Sequence, residues 1–508
     1  MRKLILKVVR YNLIALVCGF VSIGITSCNS KDGKGNDNNL IYYVSKDGND
    51  TNSGLTPSKP WATLKKVNST HFSPGSKILF KSGDEWFGQL EINSSGAKDS
   101  LIVFDKYGNG EKPKIQGQGE KRYALLIKNV SYCTVKNLEV TNEGKEPAPK
   151  RTGVLVEAIN YGDSKEISIN NLEVHHVNGS LVKKDGGGSA IFWHNGGDEI
   201  KSRFIGLSIE NCFLHHCGRN GITSSGYSNR DNWHPSLGVV IRNNLLEQIP
   251  GDGIVPIATD GAIIEYNIMR DCPDVLSHEE AAAGIWPWSA DNTLIQYNEV
   301  SGHKAKWDGQ GFDSDYNCNN TIIQYNYSHD NYGGFLLLCN DGSSLGKKYN
   351  KGTLNSIIRY NVSINDGIRT YPTKREGKFS PTIHITGPVQ NSKIYGNIII
   401  NDLKRGNNID NTIIKMDNWG LKWPEKTSIF GNLFLFSDEA KFSFAGVEST
   451  YFSDNYLTSK IDSESYQSLG NKVLQFSSFN LDKFRWEMLN NNNRVNKEFI
   501  SEWLNSLE

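Results

Sequence analysis

The chain has 508 residues, and its 55 basic and 55 acidic side chains give a formal net charge of zero at pH 7. This balance disfavours non-specific nucleic-acid binding, which needs a basic surface, and an aromatic content of 10% is too high for a disordered chain. The 49 glycines against 15 prolines, together with many asparagines, indicate a turn-rich β protein.

Residues 1–27 are typical of an export signal rather than of folded structure. A basic start precedes an apolar stretch at 13–25 that is too short to span a bilayer comfortably. The following Ile25-Thr26-Ser27-Cys28 resembles a bacterial lipoprotein cleavage motif, so we expect Cys28 to carry a lipid and residues 28–40 to form a polar tether. This organisation predicts an exported protein that is anchored to the cell envelope and meets the membrane through its N-terminal lipid only. Ordinary signal cleavage, with Cys28 left free, is the alternative.

The remaining cysteines do not indicate a zinc site. They contain no Cys-x-x-Cys pair, and several occupy similar places in a repeat, so we predict buried thiols rather than disulfides or structural zinc. These cysteines are Cys133, Cys212, Cys217, Cys272, Cys318 and Cys339.

A short β-branched run that ends in asparagine recurs roughly every 23–40 residues, the spacing of stacked structural units. Its asparagines are Asn137, Asn171, Asn211, Asn244, Asn267, Asn298, Asn326, Asn361, Asn397 and Asn432. A second strand, usually led by glycine, lies in the same units and begins at Gly221, Gly253, Gly284, Gly311, Gly334 and Thr382. The two series predict an all-β, single-stranded parallel β-helix over residues 41–480, with stacked asparagines and about ten coils. Residues 481–508 are predicted to form a C-terminal helical cap.

The N-terminal part of this region carries a family resemblance. The opening Tyr42-Tyr-Val-Ser-Lys-Asp-Gly-Asn-Asp-Thr-Asn-Ser-Gly54, then Pro60-Trp61 and Gly83-Asp84-Glu85-Trp86, resembles the N-terminal cap of the pectate lyase-like, right-handed parallel β-helix superfamily. That superfamily includes pectate lyases, polygalacturonases and chondroitinase-B-like lyases. The resemblance implies a right-handed helix, a carbohydrate-active enzyme, and a substrate cleft on the sheet of glycine-led strands. The Asn-Thr-Asp and Gly-His-Gly motifs of polygalacturonases are absent from the chain.

Alternation along the glycine-led strands predicts which side chains leave the core, because residues two apart share a face. The residue after each glycine should point inward, which leaves an outward set at the following positions: Phe192, His194, Thr223, Ser225, Val255, Ile257, Trp286, Trp288, Asp313, Asp315, Leu336, Leu338, His384 and Thr386.

Asp313 and Asp315 are the first candidates for catalysis. Two positions on one face of a strand lie roughly 6.5–7 Å apart, and inverting glycosidases hold their acid and base about 6.5–9.5 Å apart. Glu280 and Asp308, in the loops before neighbouring strands, are the candidates for a second carboxylate. The alternatives are a calcium site or solvated aspartates. Candidates for substrate binding are Trp286, Trp288, His194, His303, Lys306, Trp307 and His384.

Three functions fit this pattern. The predicted one is a glycoside hydrolase that acts on a polysaccharide or oligosaccharide with paired carboxylates and no cofactor. The second is a polysaccharide lyase, with Lys304 or Lys306 as base and Glu279, Glu280 or Asp313 on Ca²⁺. The third is a non-catalytic glycan-binding β-helix, which would not need two aspartates beside tryptophans. No nucleic-acid partner is expected.

Overall fold

A computed structural model of the protein describes residues 40–373, 378–402, 409–437, 440–444, 450–458, 468–474, 487, 489, 495–500 and 502. The predicted signal, Cys28, nearly all of the tether and most of the predicted C-terminal cap lie outside these residues. Within them, no helix is long and apolar enough to cross a bilayer.

The chain winds as a parallel β-helix, as predicted. Each coil passes through two long sheets and a third wall before it returns to the first sheet, and successive coils pair in parallel. The first long sheet has 15 strands within the described residues: Ile41–Val44, Lys77–Lys81, Ile102–Tyr107, Cys133–Lys136, Ile167–Asn170, Ser208–Glu210, Val240–Arg242, Ile263–Glu265, Leu294–Gln296, Ile322–Gln324, Ile357–Arg359, Lys393–Tyr395, Ser428–Phe430, Tyr451–Ser453 and Ser468–Leu469. We call it sheet 1.

The second long sheet, sheet 2, follows sheet 1 in each coil after a tight turn. Its described strands are Glu85–Phe87, Lys114–Gln116, Glu139–Asn142, Glu173–Val177, Phe213–Cys217, Leu245–Glu247, Ile268–Arg270, Glu299–Ser301, Tyr327–His329, Val362–Ile364, Ile398–Asn401, Leu433–Phe436, Tyr456–Leu457 and Lys472–Val473.

The third wall is divided into two sheets. The first contains Leu90–Ile92, Tyr123–Lys128, Thr152–Ile159, Ser189–Gly196, Asn220–Ser225 and Ile254–Val255. The second contains Gln310–Ser314, Gly334–Cys339, Ile383–Thr386, Thr412–Asp417 and Lys441–Ser443. Between them the coil at 285–288 is joined to its neighbours by single bridges, and Pro256 and Pro287 offer no N–H to a ladder. The wall is therefore irregular where its two sheets meet.

Smaller elements complete the coils. Short strands in the loops are Asp163–Lys165, Arg203–Ile205, Ser236–Leu237, Thr259–Asp260, Ala281–Ala282, Trp307–Asp308, Thr353–Leu354 and Val389–Gln390. The helical elements are the α-helix Leu64–Asn68, the 3₁₀ turns Lys183–Asp185 and Arg230–Asn232, and the helical residues 497–500. Thr63 caps the α-helix by accepting a hydrogen bond from the Lys66 N–H, and Leu64 and Val67 are buried in the core.

The core is a set of apolar rows that run along the helix axis. In sheet 1 the central residue of each short strand is fully buried, as in Ile209, Ile264 and Ile323, because alternation aims it inward. The predicted inward positions of the third wall, including Ile254 and Phe312, are also 0% exposed. This part of the strand assignment is confirmed.

The asparagine ladder is shorter than the sequence predicts. It runs from Asn244 along one buried row, and the Asn326 side-chain N–H₂ donates to Asn361 Oδ1 at 3.0 Å. The other ladder asparagines are Asn267, Asn298, Asn397, Asn432 and Asn455. In the three preceding coils that row holds Leu138, Leu172 and Cys212, all buried.

Asn137, Asn171 and Asn211 lie one position earlier than the ladder row. All three have positive φ, between 51° and 59°, and they lie at the outer turn. Asparagine suits this turn because it tolerates the left-handed region better than most residues. The asparagine motif in the sequence therefore contains two kinds of residue, those of the buried ladder and those of the left-handed turn.

One register in the third wall also differs from the prediction. Strand Gly334–Cys339 pairs with strand Gln310–Ser314 so that Leu337 lies beside Asp313, whereas Leu336 lies beside Phe312 and Leu338 beside Ser314. Leu336 and Leu338 are therefore core residues, and Leu337 and Cys339 face outward. The sequence does not reveal this shift of one residue in the register. After the Gly333-Gly334 doublet the strand is apolar on both faces, so no polar residue shows which face is outward.

Candidate active site

A cavity of about 670 Å³ opens on the third wall where its two sheets meet. Its floor comes from the outward residues of the second sheet, and its sides come from the loops that join sheet 2 to the third wall. Residues that contribute side chains to the argument below are Lys183, Asp252, Trp286, Trp307, Asp308, Asp313, Asp315, Tyr316, Leu337, Cys339, Arg369, His384, Asp417 and Trp419. Carboxyl groups and aromatic rings thus share one concave site.

The floor has two parallel rows set by the pairing of the strands. Asp313, Leu337 and His384 occupy one row, since Asp313 pairs with Leu337 and Leu337 with His384. Cys339 lies in the second row, where its thiol donates to Asp315 Oδ1 at 3.0 Å. Asp315 also accepts a hydrogen bond from the backbone N–H of Tyr316 at 2.6 Å.

Asp308 enters the cavity from the side rather than from the floor. It belongs to the two-residue strand Trp307–Asp308, which pairs with Ala281–Ala282 in the loop of the preceding coil. Its φ of 59° is left-handed, and the buried guanidinium of Arg369 donates to its backbone carbonyl. A left-handed backbone at a non-glycine residue, held by a buried arginine, is the kind of local strain that is found at functional sites.

The three aspartates differ in their electrostatic surroundings. Burial, followed by the charges of Asp315 and Asp308, raises the pKa of Asp313 well above its usual range. Burial raises the pKa of Asp315 to about 6, although the Cys339 thiol and the Tyr316 N–H oppose this by stabilising its ionised form. Burial also raises the pKa of Asp308, against the charges of Lys183 and Arg369. Asp313 is 4% exposed, and its Oδ1 has no hydrogen-bond partner among the described residues.

A charged network closes one end of the cavity. Burial tends to raise the pKa of Asp252, but Lys183 and Arg219 outweigh it and hold that pKa below its usual value. The indole N–H of Trp286 donates to Asp252 Oδ1 at 3.2 Å, and Lys183 Nζ lies 4.9 Å above the Trp286 ring. Glu280 accepts a hydrogen bond from the Lys183 backbone N–H. This network fixes the orientation of an aromatic ring beside the aspartates.

At the other end, His384 and Asp417 form a pair. His384 Nε2 lies 3.1 Å from Asp417 Oδ2. Burial tends to raise the pKa of Asp417, but the hydrogen bond and charge of His384, together with Thr386 and Lys415, hold that pKa below its usual value. Trp419 lies next to this pair and contacts the Tyr316 ring edge-on at 6.0 Å. The ends of the cavity therefore offer different polar groups to a ligand.

Six of the predicted site residues meet in the cavity: Trp286, Trp307, Asp308, Asp313, Asp315 and His384. The structure does not bring five others to its surface, namely Glu280, Trp288, His194, His303 and Lys306.

Each of these five is engaged elsewhere. Glu280 supports Lys183, and Trp288 packs edge-on against Tyr316. His194 bonds Ser225 on the adjacent strand, and Lys306 pairs with Asp274 at 3.1 Å.

His303 is a correction to the predicted binding set. It is 0% exposed, with Nε2 at 2.9 Å from the Gly251 carbonyl, so its imidazole satisfies a backbone group inside the protein.

Several cavity residues were missed by sequence reasoning. The sequence predicts Cys339 only as a buried thiol, because the register shift at the Gly333-Gly334 doublet hides its outward direction. Lys183, Arg369 and Asp417 come from separate coils, and no local pattern links them to the aspartates. Asp417 is the one of these residues that the sequence could have indicated. Alternation along strand Thr412–Asp417 places this acidic side chain on the outward face.

Comparisons with known proteins agree with this architecture. The family model described as "Right handed beta helix region" matches residues 189–371. Residues 189–371 therefore match a family of right-handed β-helices, in agreement with the parallel coils described above.

A lacto-N-biosidase of Bifidobacterium longum subsp. longum is 27% identical over an alignment that covers 69% of this chain. The chain spans 27% of the length of that relative.

Two solved structures are also similar in fold. A GH136 lacto-N-biosidase from Eubacterium ramulus aligns with a TM-score of 0.60 and 23% identity, over 86% of this chain and 68% of that one. XylC in complex with xylose aligns with a TM-score of 0.50 and 12% identity, over 86% of each chain. At these identities the likeness supports the shared fold.

Proposed function

We propose that the protein is a glycoside hydrolase that acts on an oligosaccharide. The observation that carries the proposal is the meeting of Asp308, Asp313 and Asp315 with Trp286 in one cavity. Hydrolysis of a glycosidic bond needs two carboxyl groups in different protonation states, and aromatic rings suit the apolar faces of sugars. The lacto-N-biosidase similar in sequence supports the same reaction class.

Asp315 is the group proposed to act as the carboxylate, either as nucleophile or as base. Two hydrogen-bond donors, the Cys339 thiol and the Tyr316 N–H, favour its ionised form. With a pKa of about 6, it is mostly ionised at neutral pH.

Asp308 is the group proposed to act as the general acid. Asp313 and Asp315 leave one strand on one face, so both meet a bound sugar from the same side. The two carboxyls of a glycosidase flank the scissile bond, and Asp308, which comes from the side of the cavity, meets this requirement. Its raised pKa favours the protonated form that a general acid needs. Asp313 is then a buried neighbour of Asp315 whose raised pKa favours its protonated form.

The proposal includes substrate contacts and no metal. Trp286, Trp307 and His384 are proposed to bind sugar rings and hydroxyl groups, since each lines the cavity beside an aspartate. Among the described residues, the cavity aspartates do not form a group of three ligands close enough to share an ion. We therefore expect chelation with EDTA to leave the rate unchanged, whereas the lyase alternative would lose its activity.

The decisive experiment measures sugar release by variants of single aspartates. The first substrate is a chromogenic 4-nitrophenyl glycoside of lacto-N-biose, chosen from the names of the relatives, followed by a panel of oligosaccharides. Asp308→Asn and Asp315→Asn should each lower kcat by about 10²–10⁴, because each removes an acid or base role. Asp260→Asn is the matched control, since that carboxylate accepts from Asn292 outside the cavity.

The outcomes separate the alternatives. An Asp308→Asn variant with full activity beside an inactive Asp313→Asn variant would reassign the general acid to Asp313. Unsaturated, ultraviolet-absorbing products would indicate a lyase. A protein that binds sugars but releases no product from any of them would be a glycan-binding β-helix.

We also propose that the mature protein is exported and held to the cell envelope by a lipid on Cys28. The support is the basic start, the short apolar stretch and the cysteine that follows it. Cys28→Ala should move the protein from the membrane fraction to the soluble fraction of cells. Unchanged membrane association would contradict the anchor.

A further inference from the structure

Two pairs of adjacent histidines lie on sheet 2, away from the cavity. His175 and His176 belong to strand Glu173–Val177, and His215 and His216 belong to the next strand, Phe213–Cys217. The strands pair in parallel with His175 opposite His215, so the two pairs are one coil apart. We call these four residues the histidine cluster.

Within each coil the two imidazoles turn toward each other. His175 Nδ1 lies 2.6 Å from His176 Nδ1, and His215 Nδ1 lies 2.8 Å from His216 Nδ1. The approach depends on the backbone, because His176 and His216 are left-handed, with φ of 49° and 52°. In an ordinary extended strand two successive side chains would point to opposite faces. The same departure occurs in both coils.

Between the coils the rings are stacked. The His175 and His215 rings lie 4.7 Å apart at an angle of 4°, and the His176 and His216 rings lie 5.5 Å apart at 7°. Each ring nitrogen of one coil therefore has a counterpart about one strand spacing away. Four imidazole groups are gathered within two turns of the helix.

Two glutamates fix the inner histidines from the other side of their rings. Glu139 Oε1 lies 2.9 Å from His175 Nε2, and Glu173 Oε1 lies 3.4 Å from His215 Nε2. A carboxylate accepts an N–H, so the proton of each neutral imidazole lies on Nε2 and leaves a lone pair on Nδ1. Lys114 holds Glu139 in turn, at 2.6 Å. Histidines that bind metal ions have this support from a carboxylate on their other nitrogen.

We propose that the histidine cluster binds a divalent transition metal ion, Zn²⁺ or Cu²⁺, through its Nδ1 atoms. Imidazole nitrogens suit both ions, and a Zn–N bond of about 2.0–2.1 Å in tetrahedral geometry places two ligand nitrogens about 3.3–3.4 Å apart. The Nδ1 pairs within each coil, at 2.6 and 2.8 Å, would open by less than about an ångström to reach this separation. The rings of the two coils lie 4.7 and 5.5 Å apart and would approach by about 1–2 Å, which rotation of the exposed rings of His176 and His216 allows.

Ligand atoms of Glu173, His175 and His215 lie within 4.8 Å of one another, which shows how closely side chains of the two coils approach. Because Glu173 faces His215 Nε2, it supports that ring and is not counted as a ligand of an ion at Nδ1. An ion at this place would join two coils through side chains, in addition to their backbone hydrogen bonds. The ion would thus cross-link two coils on the outer face of sheet 2, separate from the cavity.

The test uses the full chain without a polyhistidine tag, stripped with EDTA and then freed of chelator. Titration calorimetry with ZnCl₂ should show one ion per chain. The double variant His176→Gln/His216→Gln, which changes exposed rings, should bind at least tenfold more weakly, and Glu139→Gln about 10–100-fold more weakly through loss of support. With CuCl₂, electron paramagnetic resonance should show nitrogen hyperfine splitting that the double variant loses.

The matched control is His329→Gln on the same sheet. His329 bonds Glu299 and Asp330 and lies outside the histidine cluster, so its replacement should leave Zn²⁺ affinity unchanged. Zn²⁺ should also raise the Tm of the wild type but not of the double variant. No Zn²⁺ binding by the wild type, or equal binding by the double variant, would overturn the site. These readouts do not involve sugar release, so they are independent of the proposed hydrolase activity.

Discussion

The Cys339 thiol touches the carboxylate on which the proposed reaction depends. Burial holds the pKa of Cys339 well above its usual value, so the group stays protonated and donates to Asp315. Cys339→Ala removes this donor, which raises the pKa of Asp315. One hydrogen bond of about 0.5–1.5 kcal/mol corresponds to a shift of about half to one unit. We expect the acid limb of the pH–rate profile, near pH 6 in the wild type, to move to higher pH by that amount. Cys133→Ala, a buried thiol in sheet 1, is the control and should leave the limb in place.

Asp313 should weaken the fold at neutral pH. Its carboxyl has a raised pKa in the folded state, so the folded state binds more protons than the unfolded state between the two pKa values. The stabilisation from this group is thus complete below the ordinary pKa of an aspartate and is lost as the pH rises through the folded pKa. Asp313→Asn keeps the shape without the charge, and its Tm should exceed that of the wild type by at least about 1 °C at pH 8.

The two Tm values of wild type and Asp313→Asn should converge at pH 4, as followed by circular dichroism during heating. Asp417→Asn is a control of opposite sign, because the His384 hydrogen bond holds the pKa of Asp417 below its usual value. That variant should lose stability at pH 8. A lower Tm for Asp313→Asn than for wild type at pH 8 would contradict the electrostatic account.

At the scale of a single element, the ladder row shows what a repeat adds to ordinary strand pairing. Asn326 donates from its backbone and side chain to Asn361 Oδ1, and its own Oδ1 accepts the equivalent pair from Asn298. Asn326→Leu keeps the backbone N–H bond to Asn361 but removes the side-chain bonds and leaves buried partners unsatisfied, which should cost about 1–3 kcal/mol in the free energy of unfolding.

Urea denaturation of Asn326→Leu measures this cost. The control is the exposed Asn320→Gly, at the other end of strand Ile322–Gln324, where φ is 59° and glycine is tolerated. This change should alter the free energy of unfolding by less than about 0.5 kcal/mol. An equal loss of unfolding free energy in the two variants would mean that the buried ladder contributes no more to stability than the exposed turn.

Element by element, periodicity explains what could be predicted. Strands of three residues with a buried isoleucine at the centre recur so regularly that the β-helix and the outward direction of Asp313 and Asp315 follow from alternation alone. Alternation fails where every residue is apolar, as in strand Gly334–Cys339, because nothing in the sequence marks a face. It also cannot assign residues such as Lys183 and Arg369 to the cavity, since folding of separate coils brings them there.

At the scale of the whole molecule, the coils are held together without covalent links among the described residues. All six described cysteines are free and buried, as predicted. We expect Ellman's reagent to detect none of these six thiols in the folded protein and all six in guanidinium chloride, because burial also raises their pKa values. Addition of dithiothreitol should leave the Tm unchanged. A fall in Tm on reduction would indicate a disulfide.

The break between the two sheets of the third wall affects where the structure opens locally. The wall's two sheets meet at the coil 285–288, where single bridges replace a continuous ladder. Pro287 in this coil and Pro256 in the preceding one lack an N–H. Amide protons in this coil should exchange with solvent sooner than those of the two sheets on either side of it. Local opening costs the least free energy where hydrogen bonds are fewest. The cavity lies over this seam. A sugar that contacts Trp286 at the seam and His384 in the second sheet would link the two. Substrate binding should therefore slow amide exchange at the seam and in the second sheet together.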